Sequence, residues 1–210
     1  MPKEHPLIFT LDNAQKIADG RKTMSRRVIA LPKGGRSQNQ YGKAIKESEY
    51  IYALCGDMAK DDFSFCRFRL PLAVGSVMWV RESFKLVFFE GNFINVVFRG
   101  GGNKLVDAND IPDYCTLEYD RNYPSIHMPK WACRTRRTIT EVRIERVQDI
   151  TTSDIWREGV DNGMTNPKMG KRHINGQLMA FEDLWNSIHG SGSPKSWAAN
   201  PWVAVYGWEK

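Results

Sequence analysis

No apolar run in this chain reaches the roughly 18 residues that would cross a bilayer as a helix. The first residues, Met1-Pro2-Lys3-Glu4-His5-Pro6, carry no apolar signal-peptide core. A cytoplasmic protein with no membrane partner is therefore expected. Cysteine is scarce and scattered: Cys55, Cys66, Cys115 and Cys133 form no CxxC, so reduced thiols are expected rather than a disulfide framework. His5, His127, His173 and His189 show no ligand spacing, so neither a metal site nor a cofactor is expected. Gly100-Gly101-Gly102 lacks the Gly-Lys-Ser/Thr ending and the following helix signal of a phosphate loop, so a flexible turn is expected. There is no internal repeat and no linker long enough to separate two domains. A single domain over 1–210 follows, with no oligomeric state specified.

What is present is enough apolar surface for a packed core: 41% hydrophobic against 26% charged residues in 210. The net charge is +6 and the pI near 9.2, which suits an anionic partner such as RNA or DNA. The excess is local, because acids are missing from two stretches. Residues 20–36 hold Arg21, Lys22, Arg26, Arg27, Lys33 and Arg36, and residues 130–137 hold Lys130, Arg134, Arg136 and Arg137. Two such stretches can wall one groove or lie on two unrelated solvated faces.

The first stretch organises the reading. Asp12 is placed to cap a short helix with Ala14, Ile17 and Ala18 on one face, and Gly20 fits the position that ends it. Gly20 to Arg27 then forms a basic turn, with a strand starting at Arg27. Beyond a loop at Pro32–Gln40, the runs Tyr50–Leu54 and Phe63–Leu70 are strand-like around Gly56-Asp57. Val77, Trp79 and Arg81 share one face of a strand that ends at Glu82. Leu86–Phe89 and Phe93–Phe98 predict a hairpin around Glu90-Gly91-Asn92. Residues 103–125 read as loop. The prolines of Tyr123–Trp131 predict a rigid, extended, surface-facing segment carrying His127, Lys130 and Trp131. Thr135–Asp149 is the longest strand, bulged between Ile139 and Val142. Thr151 and Asp154 open a helix that Gly159 closes, which leaves Glu158 at its C-terminal end, against the helix dipole. After a loop at 160–177, Leu178, Phe181, Leu184, Trp185 and Ile188 define an amphipathic helix. Trp202–Trp208 is a final strand. Strands dominate, so the class is α+β, a compact barrel or sheet with helices packed outside.

Several segments, in order, resemble the ASCH domain family of the PUA-like superfamily, closest to its longer bacteriophage and prophage versions. They are Gly20-Arg21-Lys22-Thr23 with Arg26-Arg27-Val28-Ile29, Gly75 with Trp79-Val80-Arg81-Glu82, and Ile126-His127-Met128-Pro129 with Trp131-Ala132. Arg143–Ile150 with Glu158-Gly159, Leu184–Gly190 and Asn200-Pro201-Trp202-Val203 complete the set. The resemblance implies a small β-barrel with flanking helices, and residues 33–73 as an insertion. It implies binding of RNA, DNA or a modified nucleoside in a basic cleft beside the Gly20–Thr23 turn. Small bacterial members hydrolyse the acetyl amide of acetylated cytidine with a lysine, a threonine three residues on and a glutamate. Those positions correspond to Lys22, Ser25 and Glu158. Ribonuclease activity is also attributed to the family. A non-catalytic nucleic-acid or phage–host interaction module is the competing class.

Amide hydrolysis needs a nucleophile, a group to take its proton, and a donor for the leaving amine. Ser25 offers the hydroxyl. Lys22 can be its base only if burial or the cations Arg21, Arg26 and Arg27 lower its pKa by several units, and pairing with Glu158 would act the other way. Arg26 or Arg27 can neutralise an oxyanion or phosphate. Arg21, Thr23, Trp79, Arg81, Glu82, His127, Lys130 and Trp131 are the further candidates for substrate or nucleic-acid contact. Trp79 and Trp131 can stack a base, against core packing for Trp79 in mid-strand.

Overall fold

The computed structural model describes residues 3–31, 40–56, 62, 64–88, 91–113, 115–160 and 170–210. The elements begin with β1 (Glu4–Ile8), α1 (Leu11–Ala18), β2 (Met24–Val28), β3 (Lys43–Lys46), β4 (Ile51–Cys55) and β5 (Phe65–Arg69). Next come β6 (Val77–Arg81), β7 (Phe84–Phe88), β8 (Phe93–Phe98), β9 (Asn103–Asp107) and β10 (Asn122–Tyr123). The chain ends with β11 (Arg136–Arg146), α2 (Thr152–Arg157), α3 (Gly170–His189) and β12 (Trp202–Trp208). The α+β class holds. Contacts separate the chain into two compact units: Met1–Arg21 with Ser76–Thr138 and Lys210, and Lys22–Gly75 with Ile139–Glu209.

In the first unit, β1 runs parallel to β6, and β6 pairs antiparallel with the opening residues of β11. A second antiparallel sheet has the order β10-β7-β8-β9. Alternation along β7 and β8 turns Phe84, Leu86, Ile94, Val96 and Phe98 inward, where they meet Met128. Thr10, not Asp12, caps α1: its side chain accepts from the Asn13 N–H, while Asp12 pairs with Lys16 at 2.6 Å. Gly20 follows the helix at φ +73°, as a terminating glycine should.

Two expectations fail in this unit. Residues 103–107 form strand β9 rather than loop, because the backbone of β8 offers them a ladder that Asn and Lys side chains do not hinder. The proline-bracketed segment is not extended: Pro124 and Pro129 each precede a 3-10 turn, at Ser125–His127 and Lys130–Ala132. Met128 between them is fully buried.

In the second unit, β11 pairs with β12 and β12 with β2, all antiparallel, with the predicted bulge appearing between Ile139 and Glu141. β3, β4 and β5 form a separate antiparallel meander within the expected insertion. The loop at 32–39, the turn residue Asp57, Phe63, Phe89, Glu90 and residues 161–169 lie outside the described residues. β2 begins at Met24, three residues before the predicted strand. The basic stretch is thus a short turn that runs directly into a strand.

The register gives the β2–β12–β11 sheet two distinct faces. One carries Met24 and Arg26, Val203, Val205 and Gly207, and Glu141, Arg143 and Glu145. The other carries Ser25 and Arg27, Ala204 and Tyr206, and Val142 and Ile144. The first face packs Met24, Val203 and Val205 against Ile155, Phe181, Trp185 and Trp197, each apolar side chain contributing roughly 1.5–3 kcal/mol when fully buried. α3 begins at Gly170, eight residues before the predicted helix. Within neither unit do the described strands close into a barrel. No described helix is long and apolar enough to cross a membrane.

Candidate functional site

The turn after Gly20 delivers Lys22 to the second unit, where its backbone carbonyl accepts from the Trp208 indole N–H at 3.2 Å. The next residue is held on both sides: the Thr23 N–H donates to the Arg157 carbonyl at 2.7 Å, and its carbonyl accepts from the Trp208 N–H at 3.0 Å. Arg157 ends α2, so these bonds bring the end of that helix to the base of β2. Thr151 opens α2 by accepting from the Asp154 N–H, as its sequence predicts. Glu158 is the C-cap, and Gly159 leaves the helix at φ +74°.

Lys22 and Glu158 therefore meet, although 136 residues separate them. Lys22 Nζ donates to Glu158 Oε2 at 2.5 Å and to the Glu158 carbonyl at 2.8 Å. Both residues are almost sealed from solvent, at 2% and 5% exposure. Two electrostatic reasons account for an acid at this helix end. The dipole disfavours it, but an ammonium neutralises Oε2, and Arg26 Nη1 donates to Oε1 at 3.1 Å.

Arg26 is the hub. Its Nε and Nη2 both donate to Glu145 Oε1, at 3.1 and 2.6 Å, and Nη2 also reaches Asp154 Oδ2 at 2.8 Å. Arg143 extends the network to Glu145, Glu141 and Asp154, and Arg157 Nη1 donates to Glu141 Oε2 at 2.8 Å. Among the described residues, Lys22, Arg26, Arg143 and Arg157 thus face Glu141, Glu145, Asp154 and Glu158 in ion pairs, four cations against four anions. Such a set satisfies the rule that buried charge must be paired and hydrogen-bonded. Burial pushes the Glu141 carboxyl up, but Arg157 and Arg143 outweigh it and hold the group below the usual carboxylate range. Gly207 makes room on the sheet beneath. A Cβ there would lie 2.6 Å from Arg157 Nη2 and 2.9 Å from Glu141 Oε2.

Ser25 does not share this face. It sits opposite Tyr206 on the reverse side of β2 from Arg26, buried at 5% exposure. Arg27 lies on the same reverse side. Burial lowers its guanidinium pKa, and the charges of Glu158 and Tyr206 offset this in part.

Arg21 is exposed and pairs with Asp19 at 2.9 Å. In the first unit, Trp79 is a core residue at 6% exposure with the Arg81 guanidinium over its ring. Trp131 is partly buried against the core of the β7–β8 sheet. His127 is exposed in its 3-10 turn, and Lys130 pairs with Glu4 at 2.7 Å. Glu82 is buried and gripped by Arg134, whose Nε and Nη2 donate to its two oxygens at 3.0 and 2.7 Å.

Sequence reasoning passed over Glu141, Arg143, Glu145 and Arg157, and took Asp154 only as part of a cap. The usable signal was the i, i+2 spacing of Glu141, Arg143 and Glu145, which sets three charges on one face of a strand. Among the described residues no group of His, Cys, Asp and Glu side chains is arranged to hold a metal ion. No protein-family model, no curated protein and no solved structure matches the chain.

Proposed function

We propose that this protein binds nucleic acid or a modified nucleoside and that Lys22 and Glu158 are the reactive pair of an ASCH-type, PUA-like site acting on the acyl amide of an acetylated cytidine. The observation that carries the proposal is the 2.5 Å contact between them, the two residues that the resemblance pairs from opposite ends of the chain. Arg26 anchors Oε1 of the carboxylate and leaves Oε2, beside the ammonium, as the oxygen that exchanges protons. Water is the nucleophile, because Ser25 faces the other side of β2. Glu158 accepts a proton as the water oxygen bonds to the acyl carbon, and the Lys22 ammonium donates to the oxyanion that forms. The carbon–nitrogen bond then breaks, the proton passes from Glu158 to the leaving amine, and acetic acid and the amino nucleoside depart, the acid ionising to acetate in water. Because the pair is nearly sealed, substrate must displace what covers it.

Turnover of N-acetylcytidine, measured as acetate release, tests this. Wild type turns over; Lys22→Met and Glu158→Gln each lose about 10²-fold or more; Ser25→Ala keeps its rate. No release by wild type across a panel of acylated nucleosides overturns the hydrolase. The four-against-four charge balance favours a second reading, in which the network is purely structural and the protein is a non-catalytic RNA- or DNA-binding module. In that case both variants lose stability and no wild-type turnover exists to lose.

A further inference from the structure

The second acid-poor stretch folds into a different electrostatic object. Within the first unit, Asn103, Lys104, Cys133, Arg134, Arg136 and Arg137 line an open pocket of about 630 Å³. Four of these six side chains are cationic, and one of them is neutralised. Arg134 spends its donors on the protein: two on Glu82, one on the Gly101 carbonyl at 2.7 Å and one on Gln15 Oε1 at 3.2 Å. Its guanidinium also lies over the Phe98 ring at 4.2 Å. Gly102, at φ +78°, permits this approach, since a Cβ there would sit 2.6 Å from Arg134 Nη1. Arg134 is thus a fixed wall and not a free charge.

Among the described residues, Lys104 and Arg137 hydrogen-bond only to neutral groups. Lys104 Nζ donates to the Trp131 and Cys133 carbonyls at 2.7 and 3.0 Å, which uses two of its three N–H bonds and fixes the position of the third. Arg137 donates to the Arg136 and Ile17 carbonyls, both at 3.0 Å. Arg136 is exposed. Among the described residues none of the three forms an ion pair. Burial lowers the Lys104 ammonium pKa, Arg136 adds to this, and the Cys133 thiol and Asp110 act against it. The Cys133 thiol is buried, burial pushes its pKa up, and its single S–H points to the Thr135 and Val80 carbonyls, the nearer being Thr135 at 3.1 Å.

Like charges with no carboxylate beside them leave a positive potential that an anionic ligand can cancel. We infer that this pocket binds the phosphate of a nucleotide unit, with Arg136 and Lys104 as its direct contacts and Arg137 completing the charge. The exposed guanidinium can take two phosphate oxygens in one plane, and the positioned ammonium takes a third. The volume exceeds that of a bare phosphate and leaves room for the sugar. The inference stands apart from the Lys22–Glu158 chemistry, because it uses no residue of that cluster and is read by binding alone.

The test is fluorescence anisotropy with a labelled 12-nucleotide single-stranded RNA at 50 mM and 200 mM salt, with unlabelled uridine monophosphate as competitor. The expected result is that Arg136→Ala weakens binding severalfold and Arg136→Glu at least tenfold at low salt. Arg136→Ala should also lower the salt slope by about 0.7, the value for one phosphate contact on a single strand. Lys46→Ala, an exposed lysine of β3 in the other unit, changes neither. Arg136 is exposed, so both of its variants should fold, and circular dichroism checks that they do. Arg136-dependent binding that uridine monophosphate does not compete supports the inference with a nucleic-acid strand as the source. Competition at comparable phosphate concentration supports it with a free nucleotide as the source. Wild type that fails to bind, or binds with equal affinity in all three variants, overturns it, whatever the outcome of the acetate assay.

Discussion

Two stretches that look alike in the sequence, each basic and each without an acid, end differently in the fold. Lys22 and Arg26 of the first are buried in a network where every cation meets a carboxylate brought from β11 or α2. In the second, Lys130 and Arg134 also meet carboxylates, but Arg137 hydrogen-bonds to carbonyls and Arg136 is exposed, both lining the pocket. Local charge density therefore does not tell where a protein binds an anion. What matters is whether distant acids arrive. Where they do, basic residues hold the sheet and helix together; where they do not, the residual field is available to a partner.

The sharpest way to break the contrast is Arg26→Ala. It leaves the buried Asp154 and Glu158 and the half-buried Glu145 around a missing cation. A loss of about 3–5 kcal/mol is expected, the range for removing one partner of a buried pair, read from the urea midpoint. Arg26→Lys should recover only part of it, since one ammonium cannot reproduce the fork that spans three carboxylates. Equal stability of wild type and Arg26→Ala would mean that the network is not formed in solution.

Gly207→Ala comes next, at about 1–3 kcal/mol, because the new methyl group meets Arg157 and Glu141 rather than empty space. Combining it with Glu141→Ala should cost less than the sum of the two single changes if the collision is with that side chain. Thermal unfolding of the four proteins measures the difference.

A smaller effect is expected with pH. The Glu141 carboxyl titrates below its ordinary value in the folded protein. Its contribution to stability is therefore complete above the unfolded value of about 4.3 and is lost as the pH falls through the lower folded value. Glu141→Gln should flatten that part of the acid limb of the stability curve, and an unchanged limb would show that the carboxylate is not paired. Arg136→Ala closes the series. Within about 0.5 kcal/mol its stability should match wild type, as expected for an exposed residue, while its RNA affinity falls. A large stability loss there would make Arg136 structural and erase the difference between the two stretches.

Much of the framework was legible in the sequence. The hairpin of β7 and β8, the bulge of β11, the Thr151 cap and the final strand all follow from alternation, a turn signal or a cap within a few residues of each other. The errors have a common cause. Asn103–Asp107 is a strand because β8 lies beside it, and the prolines of 124–129 start 3-10 turns around the buried Met128. Both are decisions of neighbours distant in sequence. The same holds for the site. Lys22, Arg26 and Glu158 stood out as residues, but Ser25 was grouped with them because spacing along a chain does not show that β2 turns it to the other face.

Sequence alone determined the α+β class, the order of most strands, and the presence of two cationic stretches, since these depend on local periodicity and composition. Tertiary structure decided which cations are neutralised. Electrostatic energy depends on distances of a few ångströms between groups, here up to 136 residues apart, and those distances exist only once β2, β11 and α2 have packed.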